Sequence, residues 1–557
     1  MQLLNINKLN QAYEEISGKK GLDFIDAALQ RININLEINP NDLKKIPITG
    51  AFITVSNHPF GFLDGMLLLK IIAQTRPDFK VMANFLLSQL HEMQDYFISV
   101  NPLENINQSS TAGVRACVEH LQKGYPLGIF PAGEVSTYQF NSRLVQDKEW
   151  NETAIKIIKR AKVPIVPVYF EGQNSLMFHL LGSIHPALRT VQIPNEYFRK
   201  RNKTIKIRIG KPISVKEQDE LENLSTFSRY LRARTYLLGL GLEDEKSRFN
   251  IKLPKRTAKP KRIAEPLPNE LLCKDIDNLT ASNLVHTLQQ FEVYACKSYE
   301  IPHLIHEIGR QREITFRAIG EGSNRSIDLD EFDNYYTHLF IWDKEAKALV
   351  GSYRLGIGTE IFKRYGRKGF YINQFFEIDD QMNPIFAQSL EMGRSFVVQS
   401  YQKKPQPLLL LWKGIMYILF KSKTLRYVIG TVSMSNDYTL ASKSLVVEFL
   451  KQHCYDNELA KHIKSKHPFV PNLEGIDVNI FLEQMKDIDQ LDKIISEIEV
   501  LGNKMPVLIK RYLKMNAKMI AFNVDPDFNN SLDGFMILDM SQANEEMIEN
   551  LKDELKL

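Results

Sequence analysis

Between Lys246 and Arg262 the chain reads KSRFNIKLPKRTAKPKR, eight basic residues with no acidic one among them, and Pro254, Pro260, Pro266 and Pro268 follow in quick succession. Like charges repel, and each proline fixes φ and removes a backbone donor, so the tract resists both helix and sheet. The sequence therefore predicts an extended, exposed linker over 246–280 with a domain on either side, 1–245 and 281–557. The same tract is a basic patch that suits an anionic surface or an acidic partner as well as plain solvent. For the whole chain the charge is only 71 basic minus 66 acidic residues, or +5, too near neutral for bulk nucleic-acid binding.

With 44% hydrophobic and 25% charged residues, the 557-residue chain has the composition of an ordinary soluble globular protein, which argues against a disordered, collagen-like or disulfide-stapled one. Cys117, Cys273, Cys296 and Cys454 lie far apart with no C-x-x-C pair, so neither a zinc site nor a disulfide framework is expected, and a reducing, cytoplasmic setting fits. The N-terminus MQLLNINKLNQAYEEISGKK lacks a charged segment followed by an apolar one and does not read as a secretory signal. No run reaches the roughly 18 apolar residues needed to span a bilayer. The longest candidates, Leu408–Phe420 broken by Lys413 and Gly65–Ala73 broken by Lys70, read as core helices.

Before the linker, short apolar runs alternate with amphipathic ones: AFITVS at 51–56, a helix over 64–73, KVMAN at 80–84, VRACVEHLQKG at 114–124, LGIF at 127–130, IKIIKRA at 155–161, VPIVPVYF at 163–170 and TIKIRIG at 204–210. Strands separated by helices at these lengths predict an α/β domain with a largely parallel sheet. After the linker the pattern predicts a helical region near 280–320, then two adjacent strands, HLFIWD and LVGSYRLGIG, joined by a turn at Lys344–Lys347. QSLEMGRSFVV at 388–398, a helix over 408–420, a strand RYVIGTVSMS at 426–435 and a terminal strand FMILDM at 535–540 complete a second α/β or α+β domain.

The strongest local signal is Ser56-Asn57-His58-Pro59-Phe60-Gly61-Phe62-Leu63-Asp64-Gly65, directly after the strand 51–56. Open α/β sheets place ligands at such a strand end. An aspartate six residues on can hold one imidazole nitrogen and leave the other as a general base. Phe130-Pro131-Ala132-Gly133-Glu134-Val135-Ser136 also follows an apolar strand, and Val163-Pro164-Ile165-Val166-Pro167-Val168 follows a helix.

In order and spacing these three segments resemble three of the four sequence blocks of the glycerophosphate and lysophospholipid acyltransferases, over about residues 45–215. The resemblance implies that fold, with His58 deprotonating an acceptor hydroxyl that attacks a fatty acyl thioester and Asp64 orienting His58. It further implies that Asn57, Gly61, Gly133, Glu134 and Ser136 bind substrate, with backbone donors of the second loop available to an oxyanion. The chain departs from the pattern in having five residues between His58 and Asp64, where the family has four. Its glutamate is displaced to Glu134, and FISVNPLENI shows no arginine block for an acceptor phosphate. An acceptor other than glycerol 3-phosphate is expected.

The second half carries Phe316-Arg317, the acidic stretch Asp328-Leu329-Asp330-Glu331-Phe332-Asp333, Thr337-His338-Leu339, Val350-Gly351-Ser352-Tyr353-Arg354-Leu355 and Leu390-Glu391-Met392-Gly393-Arg394-Ser395. Glu391 and Arg394 share a face if their segment is helical and can pair if it is extended. N-acylation needs a base for the attacking amine and a cation for an amino-acid carboxylate. Glu391 or Asp333 can supply the first, and Arg317, Arg354 or Arg394 the second. His338, opening an apolar strand, reads as structural. This train, with Pro506–Tyr512 and Asp525–Asn529, resembles the GNAT-like branch holding the acyl-homoserine-lactone synthases and the N-acyltransferases of ornithine-lipid synthesis, once labelled haemolysins.

The fusion is similar to the bifunctional ornithine-lipid synthase family. That resemblance implies a C-terminal domain that transfers a 3-hydroxyacyl group from acyl carrier protein to the α-amine of an amino acid, and an N-terminal domain that esterifies the new 3-hydroxyl. Glu391 and Arg394 are then catalytic, and Arg317, Asp330, Asp333 and Arg354 bind substrate. No metal or resident cofactor is implied, the donor being an acyl carrier protein or coenzyme A thioester. The implied partners are acyl carrier protein, lyso-lipid and the inner face of the cytoplasmic membrane, not nucleic acid. A lysophospholipid acyltransferase with a non-catalytic docking half is the competing reading, and a membrane-lytic protein lacks the long insertion segments it would need. The head group, ornithine or glycine, stays open; Asp328–Asp333 would suit the ammonium of ornithine.

Overall fold

The computed structural model describes residues 6–84, 90–100, 109–139, 142–184, 186–249, 260–543, 549 and 553. The chain divides into two compact units, residues 1–250 with 473–503, and residues 251–472 with 504–557.

In the first unit the apolar runs form β1 (Asn35–Ile38), β2 (Ile53–Ser56), β3 (Lys80–Asn84), β4 (Phe97–Val100), β5 (Leu127–Ile129), β8 (Ile165–Phe170) and β9 (Thr204–Ile209), with a small hairpin, β6 (Thr137–Gln139) and β7 (Leu144–Gln146), beside them. The sheet order is β1-β9-β8-β2-β5-β3-β4. All neighbours are parallel except β8 and β9, which run antiparallel. Strand β2 is buried along its whole length because the parallel sheet is covered on both faces. The helix Phe62–Ala73, one of the two runs long enough to raise the question of a membrane, buries Leu63, Met66 to Leu69, Ile71 and Ile72 in the core under the sheet.

Two helices from late in the chain complete this unit, Val478–Gln484 and Ile488–Ile498. Sequence order had assigned them to the domain 281–557. Arg234, on the helix Leu224–Phe249, is buried and donates to both carboxylate oxygens of Glu497 at 2.9 Å. Arg208 donates to the carbonyls of Glu497 and Ile498, at the negative end of the helix 488–498. Such anchors leave no trace in linear sequence, since each arginine is more than 200 residues from its partner.

The second unit is built on an eight-stranded sheet, β10 (Leu284–Leu288), β11 (Phe291–Lys297), β12 (Thr337–Asp343), β13 (Ala348–Ile357), β15 (Ser389–Val397), β16 (Tyr427–Met434), β19 (Ser531–Asp539) and β18 (Lys518–Asp525), in that spatial order. A separate pair joins β14 (Phe376–Ile378) and β17 (Ile463–Ser465). The helix expected over 280–320 is corrected at its start. Residues 284–297 form the hairpin β10–β11, turned at Gln289 with φ 57°, and helix begins only at Leu304. LVHTL and FEVYACK carry β-branched and aromatic side chains on a two-residue alternation, which favours strand. Gln406–Lys421 is a helix with Leu410, Leu411, Trp412, Ile415 and Met416 buried, so it is core as expected.

The linker is also shorter than expected. Residues 246–249 close the helix Leu224–Phe249, 250–259 lie outside the described residues, and Asn269–Asp277 is a helix. Asp275 on it is buried and accepts from the backbone nitrogens of His303 and Leu304, capping the helix that follows. Among the described residues no helix is long and apolar enough to cross a membrane.

Candidate active sites

His58 leaves the carboxyl end of β2, where the flanking strands β5 and β8 also end. Its ring lies 4.4 Å, centroid to centroid, from that of Phe130, which follows β5. Gly61, at φ 83°, turns the chain into the helix Phe62–Ala73 and brings Asp64 back under the imidazole. Asp64 is fully buried. Its Oδ2 accepts from His58 Nδ1 at 2.9 Å, from Phe60 N at 2.9 Å and from Gly61 N at 3.0 Å, while Oδ1 has no partner. Burial raises the Asp64 pKa above the ordinary carboxylate value, against the lowering pull of His58 and the two amides. With Nδ1 committed, Nε2 is the nitrogen available to take a proton.

The other residues expected here hold the frame. Asn57 donates to the Phe170 carbonyl at 2.9 Å and accepts from Phe170 N at 2.8 Å, locking the end of β2 to the end of β8. Ser136 N donates to the His58 carbonyl at 2.8 Å and its hydroxyl to Asp147 Oδ1 at 2.6 Å. Gly133, at φ 69°, closes a turn through its own N–H to Phe130 O. Of the backbone donors of this loop, those of Gly133 and Ser136 are thus already engaged. Glu134 is part-exposed and pairs with Lys148 at 2.8 Å.

Asp147 was not anticipated. It is 1% exposed and accepts from His58 N at 3.2 Å, from the Ser136 hydroxyl and, at Oδ2, from Trp150 Nε1 at 3.1 Å. One carboxylate therefore joins the His58 loop to the Gly133–Ser136 loop. No local pattern marks an aspartate that does its work across 89 residues.

In the second unit β15 and β16 run parallel and pair from Ser389↔Tyr427 to Met392↔Gly430. Beyond that rung β15 stays with β13 as far as Val397 and β16 stays with β19 as far as Met434, so the two strands part. Gly430 permits the last rung, since a Cβ there would lie 2.4 Å from Met392 O. The opening exposes strand backbone to which an extended, amide-bearing arm can add.

Glu391 sits on the last rungs before the opening. It is 3% exposed, accepts from Tyr371 N at 3.0 Å and Ile372 N at 2.8 Å, and takes a hydrogen bond from the Tyr336 hydroxyl. Burial raises its pKa even against these donors. It does not pair with Arg394. The segment is a strand, and Arg394 sits at φ 52° beside a register shift that aims it elsewhere. Arg394 reaches Asp328 at 3.5 Å and Asp330 at 3.7 Å, and lies over the Phe528 ring at 4.5 Å and the Tyr371 ring at 5.1 Å.

Asp333 and Arg354 are buried together. Arg354 Nη1 donates to Asp330 at 2.5 Å and Asp333 at 3.2 Å, Arg312 donates to Asp333 at 3.1 Å, and the Arg354 guanidinium lies over Tyr371 at 4.8 Å. Burial works to raise the Asp333 pKa, but Arg312 and Arg354 hold it well below the carboxylate range. His338 is fully buried and bonds the Asp333 carbonyl at 3.0 Å, and burial lowers its pKa to about 4. The acidic stretch offered above to an ornithine ammonium is thus matched by arginines of the chain. Arg317 is not gathered with the others: it pairs with Glu313 and donates to the carbonyls of Lys261 and Arg325.

His58, held by a buried carboxylate at a parallel strand end, and Glu391, buried at a strand opening, fall one in each of the two regions matched by family models: "Acyltransferase" over residues 4–244 and "Acetyltransferase (GNAT) domain" over 311–413. The chain is 30% identical over 273 residues to a glycine N(alpha)-acyltransferase of Bacteroides thetaiotaomicron, covering 47% of this chain and 80% of that one. It is 27% identical over 244 residues to a lyso-glycine lipid O-acyltransferase of the same organism, covering 42% of this chain and 87% of that one. A 1-acyl-sn-glycerophosphate acyltransferase structure from Thermotoga maritima overlaps 41% of this chain and 80% of that one, at 19% identity and a TM-score of 0.28. The chain belongs to the amino-acid-lipid acyltransferase family and joins an O-acyltransferase domain to a GNAT N-acyltransferase domain.

Proposed function

We propose that this enzyme makes a doubly acylated amino-acid lipid in two steps, at a membrane surface. In the second unit the α-amine of the amino acid attacks a 3-hydroxyacyl thioester lying in the opening between β15 and β16. The C–N bond forms as Glu391 takes the amine proton, the C–S bond breaks, and Glu391 passes that proton to the departing thiolate, so that the free thiol leaves. Asp333, held ionised by two arginines, is a poor base, which supports Glu391 in that role. Arg394 makes no close hydrogen bond to either aspartate, so it is the guanidinium best placed to receive the acceptor carboxylate.

In the first unit His58 Nε2 takes the proton of the 3-hydroxyl. The oxygen attacks a second acyl thioester, and the imidazolium returns the proton to the departing thiolate. Asp64 stabilises that imidazolium. The donor in both steps is an acyl carrier protein or coenzyme A thioester. The acceptor is glycine, in keeping with the relatives' names, or another small amino acid. Acyl carrier protein and the inner face of the cytoplasmic membrane belong to the same reading.

The single observation that carries the reading is the pairing of His58 with Asp64 in one unit and a buried, backbone-held Glu391 in the other. Mass spectrometry of lipids from a host making the intact chain tests it. Wild type should yield a diacylated amino-acid lipid, His58→Ala the singly acylated precursor, and Glu391→Ala neither. A change confined to glycerophospholipids would refute it.

A further inference from the structure

The helix Leu176–Ile184 begins six residues after β8 ends, beyond the same carboxyl end of the sheet that carries His58. A short surface helix normally buries its apolar face. Here Phe178 and His179 are buried, yet Leu176 is 72%, Met177 54% and Leu180 56% exposed. Positions 176, 177 and 180 share one side of a helix, so these three make an outward apolar face.

Next to that face lies Arg199-Lys200-Arg201-Asn202-Lys203, four cations in five residues, with Arg199, Arg201 and Lys203 exposed. Two contacts tie the elements together. Glu196, one turn before Arg199, accepts from Ser175 N and from the Ser175 hydroxyl at the start of the apolar helix, and Lys200 donates to Gln173 O at 2.6 Å. Lys200 also places its ammonium 4.4 Å from the centroid of the Phe60 ring, two residues from His58.

We propose that the Leu176–Met177–Leu180 face and the 199–203 run form a docking surface that seats the His58 site on an anionic lipid bilayer. The physical reasons are charge and polarity together. Apolar side chains enter the acyl boundary, while arginine and lysine meet anionic head groups. This rests on the reading that the first unit acts on a lipid acceptor, whose acyl tail stays in the membrane while its 3-hydroxyl reaches His58.

The test uses the full chain in co-sedimentation with vesicles of equal phosphatidylglycerol and phosphatidylcholine, and with phosphatidylcholine alone. Wild type should bind the mixed vesicles at least about tenfold more than the neutral ones, with binding falling as salt rises. Leu176→Glu/Met177→Glu/Leu180→Glu and, separately, Arg199→Glu/Arg201→Glu/Lys203→Glu should each lower binding at least about tenfold. Both should keep wild-type O-acylation of a short-chain, water-soluble acceptor while losing it on acceptor embedded in vesicles.

Undiminished sedimentation of both variants overturns the proposal, as does equal loss on soluble and embedded acceptors. A wild-type dimer that the Glu variants convert to monomer, without change in vesicle binding, overturns it in favour of self-association. Vesicle binding needs no turnover. A wild type that binds yet never O-acylates would therefore refute the functional reading and leave the docking surface standing.

Discussion

Replacing Asp64 with asparagine isolates one charge. All three hydrogen bonds to this residue converge on Oδ2, and Oδ1 meets no donor. An asparagine with its oxygen at the Oδ2 position keeps the contacts to His58, Phe60 and Gly61, leaving its amide where nothing was bonded. What disappears is the negative charge 2.9 Å from the imidazole. At an effective dielectric of about 20, a unit pair at that distance is worth about 6 kcal/mol, an upper bound. Solvent reaching the part-exposed ring reduces it, and about 3–5 kcal/mol of imidazolium stabilisation is a reasonable share, or roughly 10²–10⁴ in rate.

Thermal stability should move the other way. Asp64 has a pKa raised by burial, so the folded state binds its proton more tightly than the unfolded one, and keeping it ionised at neutral pH costs stability. That cost grows as pH rises from the unfolded carboxylate value through the folded one. The Asp64→Asn variant escapes that pH-dependent cost, so wild type should lose stability relative to it as pH rises through that window. The assay is single-turnover O-acylation of a lyso N-acyl amino acid, with N-acylation by the same preparation as control. O-acylation above about one-tenth of wild type, with N-acylation intact, would refute the imidazolium argument.

Further outcomes are expected. Glu391→Gln should cut N-acylation by about 10²–10⁴ and spare O-acylation. Because burial raises the Glu391 pKa, the acid limb of the wild-type pH–rate profile should lie above the ordinary carboxylate range, activity falling as pH drops through it. Asp147→Ala strands three donors and should cost about 2–5 kcal/mol in denaturant unfolding, with O-acylation falling more than tenfold. Glu497→Ala removes the buried one of the two carboxylates that pair with Arg234, Glu217 staying at 2.8 Å, and should cost about 1.5–3 kcal/mol, whereas joint replacement of Arg234 and Glu497 by apolar residues should restore most of it. His338, with a pKa lowered to about 4, is neutral when folded, so the unfolded state binds the extra proton. Stability should decline as pH falls from about 6.5 towards 4, and less steeply in His338→Asn.

Local patterns made much of this protein legible. The alternation of apolar and amphipathic runs gave the parallel sheet, because strand and helix periodicities are properties of neighbouring residues. The HPFGFLD segment pointed to the candidate site at His58, because a tight turn into a helix needs its glycine and aspartate within one turn of each other. Family resemblance supplied the partner chemistry of the second half, where single motifs were weaker. Hidden from the sequence were interactions closed over long separations: Asp147 under His58, the Tyr336–Glu391 bond, and the helices 478–498 anchored by Arg208 and Arg234. So too was the choice among charged residues. Sequence offered two bases and three arginines, and only packing decided that Asp333 is held by Arg312 and Arg354 while Glu391 lies among backbone amides. Charge pairing in a buried site depends on which groups share the space, and that is set when the sheet closes.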